Sequence, residues 1–234
     1  MRLDKFLCDL QLGTRSQIKK DIKAGLVTVN ETKAQKPEQQ IDETTDRICY
    51  KGQLCSYEKQ VYYMLYKPAG VVSATEDKWD KTVVSLLQTE NRKDLFPIGR
   101  LDKDTEGLLV LTNDGALAHD LLSPRKHVEK EYECHLRDAI TPEQITALEK
   151  GVDIGEKQPT RPAKVTVLSE TQITLSITEG KFHQVKRMLQ AVGNEVLYLK
   201  RLRMGNLCLD ETLEKGAYRR LTGEEVQGLK TIRN

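Results

Sequence analysis

The first sixty residues show two helix patterns followed by short apolar runs. Apolar side chains recur at helical spacing near the start of the chain: Leu3, Phe6, Leu7 and Leu10. Gly13 interrupts this pattern, and a second helix is predicted to begin after Thr14, because Thr14 with Gln17 three positions later resembles a capping box. The apolar run at residues 26–30 predicts a strand. These features indicate a small N-terminal α/β module.

The chain from residue 61 onward contains more strand patterns than helix patterns. Strands are predicted at 61–66, 71–74, 108–112, 131–136, 163–168, 172–178, 195–202 and 207–209. The turn signal Lys67–Gly70 predicts that the first two form a hairpin. Helices are predicted after Thr141, over 182–192 and after Thr222. Strands grouped with a few helices predict an α+β fold with a mixed, mostly antiparallel sheet flanked by helices.

The polar stretch Ser56–Gln60 is the predicted linker, which places the domains at 1–58 and 61–234. The net charge is only +2, so bulk charge does not argue for nucleic acid and any such argument must rest on local basic clusters. The five cysteines are odd in number and include no Cys-x-x-Cys pair, which argues against a zinc ribbon or a disulfide scaffold. No apolar signal or membrane-span pattern is present. These features predict a reduced, cytoplasmic protein that does not enter a membrane.

A polar, charge-dense segment at residues 99–107 leads directly into the apolar run at 108–112. Loops fixed by a buried strand are common positions for catalytic groups. Asp102 lies close to Arg100 and Lys103 in sequence, and nearby cations favour an ionised carboxylate. Spacing alone leaves two interpretations open: a nucleophile or base, or a turn whose aspartates cap backbone donors.

The whole stretch Gly99–Gly115 resembles the signature of the RsuA-type pseudouridine synthases, Gly-Arg-Leu-Asp-x-x-Thr-x-Gly-Leu-Leu-x-Leu-Thr-x-Asp-Gly, and matches every fixed position. The resemblance implies that Asp102 is the catalytic carboxylate. Lys130-Glu131-Tyr132 resembles the second motif of the family, which implies that Tyr132 stacks on the target base.

The stretch Glu179–Met188 resembles the third family motif, which implies that Lys186 pairs with the catalytic aspartate. Lys181 stands where arginine is common in relatives, so a bidentate fork is lost there although the charge is kept. The resemblance implies RNA contacts for a further set of residues around this site: Arg100, Lys181, His183, Gln184 and Arg187.

The N-terminal module resembles the alpha-L RNA-binding domain first known from a small-subunit ribosomal protein. The resemblance implies RNA contacts for six of its residues: Arg2, Lys5, Arg15, Ser16, Lys19 and Lys20. Contacts of this kind hold phosphates and position the substrate without reading its sequence.

The resemblance implies an isomerase that breaks the N1–C1′ bond of a uridine and rejoins the base through C5, with no metal or organic cofactor. Asp102 could attack C1′ or remove the C2′ proton, and the sequence is compatible with both. The expected substrate is small-subunit (16S) ribosomal RNA, bound by a monomer. The alternatives are large-subunit (23S) ribosomal RNA, a non-catalytic assembly factor, and a glycosidase that pairs Asp102 with Asp104.

Overall fold

The computed structural model describes residues 1–10, 12–43, 45–55, 60–87, 92 and 94–232. The chain divides into two compact units, the first built mainly from Met1–Gln60 and the second from most of the chain after Val61. The predicted linker at Ser56–Gln60 lies outside the described residues except for Gln60.

The first unit packs two helices against a four-stranded antiparallel sheet. Its elements are α1 (Leu3–Asp9), α2 (Arg15–Lys23), β1 (Val27–Val29), β2 (Thr32–Lys33), β3 (Ile48–Tyr50) and β4 (Gln53–Cys55). The strand order is β2-β1-β3-β4. Oγ1 of Thr14 accepts a hydrogen bond from the main-chain N–H of Gln17 at 3.3 Å, so α2 begins where the cap pattern predicts. Leu3, Phe6 and Ile18 are fully buried between the helices and the sheet.

The second unit is built on a nine-stranded mixed sheet. Its strands are β5 (Tyr62–Lys67), β6 (Phe96–Pro97), β7 (Glu106–Thr112), β8 (Lys130–Leu136), β9 (Lys164–Ser169), β10 (Gln172–Ile177), β11 (Val196–Met204), β12 (Leu207–Cys208) and β13 (Tyr218–Arg220). The main strand order is β13-β5-β7-β11-β8-β10-β9, with β6 beside β7 and β12 beside β11. Only the pair β7–β11 is parallel among these described strands. The predicted α+β class with a mostly antiparallel sheet is confirmed.

Both faces of this sheet are covered. Its helices are α3 (Gly115–Leu122), α4 (Pro142–Lys150), α5 (Gln184–Ala191) and α6 (Gly223–Thr231). Every residue of β7 is buried, and its side chains alternate between two hydrophobic cores: Leu109 and Leu111 in one, Leu108 and Val110 in the other. The strand that follows the Asp102 loop is therefore fixed from both sides.

The predicted hairpin between 61–66 and 71–74 is wrong. Both edges of β5 are already paired, one with β7 and the other with β13. The residues after the Lys67–Gly70 turn contact the Asp102 loop instead: Gly70 N–H donates to the Lys103 carbonyl at 2.7 Å, and Ser73 Oγ donates to the Leu101 carbonyl at 2.8 Å. This segment supports the loop and adds no strand to the sheet.

The sequence prediction also missed helix α3. No helix was predicted between the strands at 108–112 and 131–136, because Asn113, Asp114 and Gly115 have the composition of a turn. The Asp114 carboxylate instead accepts hydrogen bonds from the main-chain N–H groups of Ala116 and Leu117, at 3.1 and 3.0 Å. An aspartate in this position is a helix N-cap, so the same residues that end β7 also start α3.

Candidate active site

The loop that carries Asp102 is held by hydrogen bonds from a buried lysine, Lys67. Nζ of Lys67 donates to four main-chain carbonyl oxygens: Pro68 and Asp102 at 3.0 Å, Lys103 at 3.3 Å and Thr105 at 2.7 Å. Lys67 is fully buried, and burial lowers its pKa to about 8. It is still mainly protonated at neutral pH, so the ammonium group can donate to several carbonyls at once. The sequence prediction treated Lys67 only as part of a turn.

The Asp102 side chain is about a quarter exposed and faces two basic side chains from the region of α5. Its two oxygens lie 3.4 Å from Nε2 of His183 and 3.4 Å from Nζ of Lys186. His183 adopts a left-handed conformation (φ 47°) immediately before α5, and this turn directs its ring toward the loop. Lys186, the expected partner of Asp102, and His183, which was predicted only as an RNA contact, thus reach Asp102 from a segment about eighty residues away in sequence.

Lys186 contacts a second carboxylate more closely than it contacts Asp102. Its Nζ lies 2.6 Å from Oδ1 of Asp104, and this hydrogen bond lowers the pKa of Asp104. The side chain of Asp104 is 73% exposed, whereas that of Asp102 is 26% exposed. Lys186 therefore bridges the two carboxylates, and Asp102 is the one that is turned inward.

Asp102 lines a cavity of about 750 Å³ whose floor is the sheet. Tyr132 of β8 is on that floor and is only 7% exposed. At the opposite wall Phe182 is 71% exposed, and its ring stacks on that of His183 with centroids 3.8 Å apart. The sequence prediction named Tyr132 and His183 but not Phe182. An exposed aromatic beside a predicted basic motif was the signal that could have identified it.

Three side chains near this cavity that were predicted to contact RNA form hydrogen bonds within the protein. Lys181 donates to the carbonyls of Gln158 and Pro159, at 2.9 and 3.0 Å. Gln184 is buried and closes the turn before α5 by donating to Glu179 at 2.7 Å. Arg187 donates to Glu156 and to the carbonyls of Ile154 and Phe182. Lys181 and Gln184 line the cavity, whereas Arg187 links the segments that carry Ile154 and Phe182.

The other residues that were predicted to contact RNA are more exposed to solvent. Arg100 is exposed at the cavity. In the first unit Arg2 and Arg15 both pair with the buried carboxylate of Asp4, at 2.9 and 3.5 Å. The others are exposed: Lys5, Ser16, Lys19 and Lys20. Arg2 and Arg15 thus stabilise the junction of α1 and α2, and the lysines present free charge on its surface.

In the part of the chain that the structure describes, no group of three or more His, Cys, Asp or Glu side chains is arranged to hold a metal ion. Among the same residues, no helix is long and apolar enough to cross a membrane.

A carboxylate with a basic partner, in a cavity that is also lined by a tyrosine, fits an enzyme that acts on a flipped nucleotide. Residues 61–191 match the RNA pseudouridylate synthase family, and residues 1–48 match the S4 domain. The chain belongs to the RNA pseudouridylate synthase family, as its motifs predicted.

The chain aligns with its relatives over nearly their whole length. The chain is 50% identical to an uncharacterised RNA pseudouridine synthase of Bacillus subtilis, over 97% of each chain. It is 43% identical to ribosomal small subunit pseudouridine synthase A of Vibrio cholerae (98% of this chain, 99% of the relative) and 40% identical to that of Escherichia coli (97% and 98%). A crystal structure of a pseudouridylate synthase superposes with a TM-score of 0.71 at 39% identity, covering 98% of this chain and 99% of that one.

Proposed function

We propose that this chain converts a specific uridine of small-subunit (16S) ribosomal RNA to pseudouridine, with Asp102 as the catalytic carboxylate. The observation that carries the proposal is the inward-facing carboxylate of Asp102, 3.4 Å from both Lys186 and His183, at a cavity of about 750 Å³. The names of the Vibrio cholerae and Escherichia coli relatives support the choice of small-subunit RNA.

Asp102 acts on the ribose. Its carboxylate either bonds to C1′ as the N1–C1′ bond breaks or removes the C2′ proton to give a glycal. Lys186 pairs with the carboxylate and orients it in both routes, because its ammonium group lies beside both Asp102 and Asp104. The bridge to Asp104 also fixes the position of Lys186 itself.

The target uridine must leave its stack to reach Asp102, at a cost of roughly a few kcal/mol. Tyr132 recovers part of that cost by packing against the base, and base–aromatic stacking contributes about 1–3 kcal/mol. Arg100 is exposed at the cavity and binds a phosphate or fills the gap left by the base. Lys181, His183 and Gln184 line the cavity against which the RNA backbone lies, and Arg187 of α5 also contacts the RNA.

The N-terminal domain, which we assign to residues 1–58, binds RNA phosphates, and the catalytic domain is 61–234. The match to the S4 domain over residues 1–48 supports this role. Its surface lysines, Lys5, Lys19 and Lys20, are exposed, and Ser16 lies beside them on α2. Arg2 and Arg15 hold this surface in place through Asp4.

We also propose that the protein acts as a monomer in the cytoplasm. The five cysteines are free thiols, which suits a reducing compartment. Light scattering of the purified chain tests the oligomeric state. Large-subunit RNA and a non-catalytic role in ribosome assembly are the competing functions, and the following experiment separates all three.

The experiment uses transcripts of each ribosomal RNA labelled with tritium at uridine C5, because rejoining through C5 releases that label to water. Release from 16S RNA alone supports the proposal. Release from 23S RNA alone would show that the substrate is large-subunit RNA. If neither RNA releases label, also when presented as assembly intermediates, the chain is not a pseudouridine synthase. Release that persists in Asp102→Asn would refute the assignment of Asp102.

A further inference from the structure

Two positive side chains lie in the floor of the cavity, on the same face of the sheet as Tyr132. Lys130 and Tyr132 are two residues apart on β8, so their side chains point to the same face. Arg201 of β11 is the cross-strand neighbour of Tyr132. All three side chains line the cavity. Lys130, Tyr132 and Arg201 are named the floor cluster below.

Neither cation of the floor cluster has a carboxylate partner among the residues that the structure describes. Nζ of Lys130 donates to the Val128 carbonyl at 2.9 Å. Nε of Arg201 donates to the Leu108 carbonyl at 2.7 Å, and its Nη2 atom has no hydrogen-bond partner within that part of the chain. Arg201 is only 2% exposed. Buried cations are normally paired, so two unpaired cations indicate that a ligand supplies the negative charge.

The acidic side chains closest in sequence are already neutralised elsewhere. Glu129 and Glu131, on either side of Lys130, both bind Arg203. Other titratable or charged groups that line the cavity lie on the loops and on α5: Asp77, Arg100, Lys103, Glu179, Lys181, His183 and Lys186, besides Asp102. Burial, followed by the charge of Arg201, lowers the pKa of Lys130 to about 8, so the group is still mainly cationic at neutral pH.

The negative charge could come from the base or from an RNA phosphate. Position favours the base, because the floor cluster includes the aromatic ring on which the base is proposed to stack. A phosphate stays on the ribose side, where Asp102 and Lys186 lie. The cavity therefore combines a carboxylate that can act on the sugar with cations beside the ring on which the base is proposed to stack.

We propose that Lys130 stabilises the uracil as a leaving anion when the N1–C1′ bond breaks, and that Arg201 acts as a positioning residue that raises the positive potential beneath it. The electron pair of the N1–C1′ bond moves to the uracil and is delocalised over N1, O2 and O4. In the same step C1′ bonds to Asp102, or the C2′ proton passes to Asp102. The uracil turns and C5 bonds to C1′, while the Asp102–C1′ bond breaks in the first route or the C2′ proton returns from Asp102 in the second. The C5 proton then leaves to water and N1 takes up a proton from water. This inference rests on the proposed function.

The test compares two leaving groups under single-turnover conditions at saturating RNA. Target RNA carries either uridine or 5-fluorouridine, and loss of the N-linked nucleoside is followed by digestion and mass spectrometry. Fluorine withdraws electrons, so fluorouracil needs less help to leave. Lys130→Met is expected to slow uridine conversion about 100-fold, a usual size for one electrostatic contact, and to slow 5-fluorouridine cleavage at most about 10-fold.

Lys130→Arg keeps the charge and is expected to retain most of the rate on both substrates. Lys164→Met, which removes an exposed lysine from β9, is the matched control and is expected to behave as wild type. If Lys130→Met slows both substrates equally and Lys130→Arg does not restore the rate, the inference is overturned and Lys130 has only a structural role. An unchanged rate with weaker, less salt-dependent RNA binding overturns it in favour of a phosphate contact.

Failure of the inference is distinguishable from failure of the proposed function. If wild type converts uridine and Asp102→Asn does not, the proposed function stands whatever Lys130→Met shows. If wild type converts no uridine in any ribosomal RNA, the proposed function fails and the role of Lys130 fails with it.

Discussion

The ammonium group of Lys67 lies 3.0 Å from the main-chain carbonyl oxygen of Asp102, the residue whose side chain faces the cavity. The same ammonium group binds the carbonyls of Pro68, Lys103 and Thr105. Because one donor group binds three main-chain carbonyls of the loop, the position of the Asp102 carboxylate depends on a side chain that does not reach the cavity.

Lys67→Met is expected to lower the free energy of unfolding by about 2–4 kcal/mol, since it leaves several buried carbonyl oxygens without a donor. The rate of uridine conversion should fall as well, because the Asp102 loop loses its support. Urea unfolding and the tritium-release rate measure the two effects. Lys164→Met is the control, and unfolding midpoints that coincide for all three proteins would contradict the role of Lys67.

The pH dependence of stability gives a second test of Lys67. Its folded-state pKa is about 8, below its usual 10.5, so between those values the unfolded chain binds a proton that the folded chain has lost. Stability from this residue should therefore rise with pH by about 1.4 kcal/mol per unit in that window, and be lost as pH falls through 8. Urea unfolding of wild type and Lys67→Met from pH 7 to pH 10 isolates the effect. A constant difference between the two proteins would argue against it.

The two carboxylates that contact Lys186 should differ sharply in importance. Asp102→Asn is expected to reduce the rate of pseudouridine formation by a factor of about 1,000 or more, as for loss of a nucleophile or base. Asp104→Asn is expected to cost less than about tenfold, because Asp104 is 73% exposed and serves only to hold Lys186. Single-turnover rates of pseudouridine formation by the two variants measure this difference. A larger loss of rate in Asp104→Asn than in Asp102→Asn would mean that Asp104 is the catalytic carboxylate and that Asp102 holds Lys186.

Much of the site follows from local sequence, because each motif is a short continuous stretch. Asp102 with its loop and Lys186 with its helix were predicted in this way, and the structure places them 3.4 Å apart. Lys67, Lys130 and Arg201 could not be assigned roles from spacing. Their importance depends on burial and on partners far along the chain, such as the 93 residues that separate Arg201 from Leu108.

The errors in the fold have the same origin. Lys67–Gly70 has the composition of a hairpin turn, but the neighbouring positions of β5 were already occupied by strands remote in sequence. Asp114 can end a strand or cap a helix, and local chemistry is the same for both. For both segments, contacts with residues remote in sequence determined which structure formed.

Gly107 controls how closely β7 and β11 approach. It has φ 105°, and a Cβ there would overlap the main-chain oxygen of Arg201. Gly107→Ala is therefore expected to cost about 3 kcal/mol or more and to displace Arg201. Gly70→Ala is the matched control: φ is also positive at 84°, but nothing lies within 4 Å of its Cβ, so only strain of about 1 kcal/mol is expected. Equal losses of stability would show that backbone strain, and not the contact with β11, accounts for Gly107.

The N-terminal lysines should control RNA affinity without affecting chemistry. Lys19 and Lys20 are exposed on α2, and each phosphate contact that is lost should reduce the slope of log affinity against log salt by about 0.7–0.9. Removing both, as Lys19→Ala with Lys20→Ala, is expected to weaken binding at low salt and to flatten this dependence, while the single-turnover rate at saturating RNA stays that of wild type. Fluorescence anisotropy across a salt series measures the slope. Unchanged affinity at every salt concentration would remove these two lysines from the RNA-binding surface, and a lower rate at saturation would show that α2 also positions the RNA for reaction.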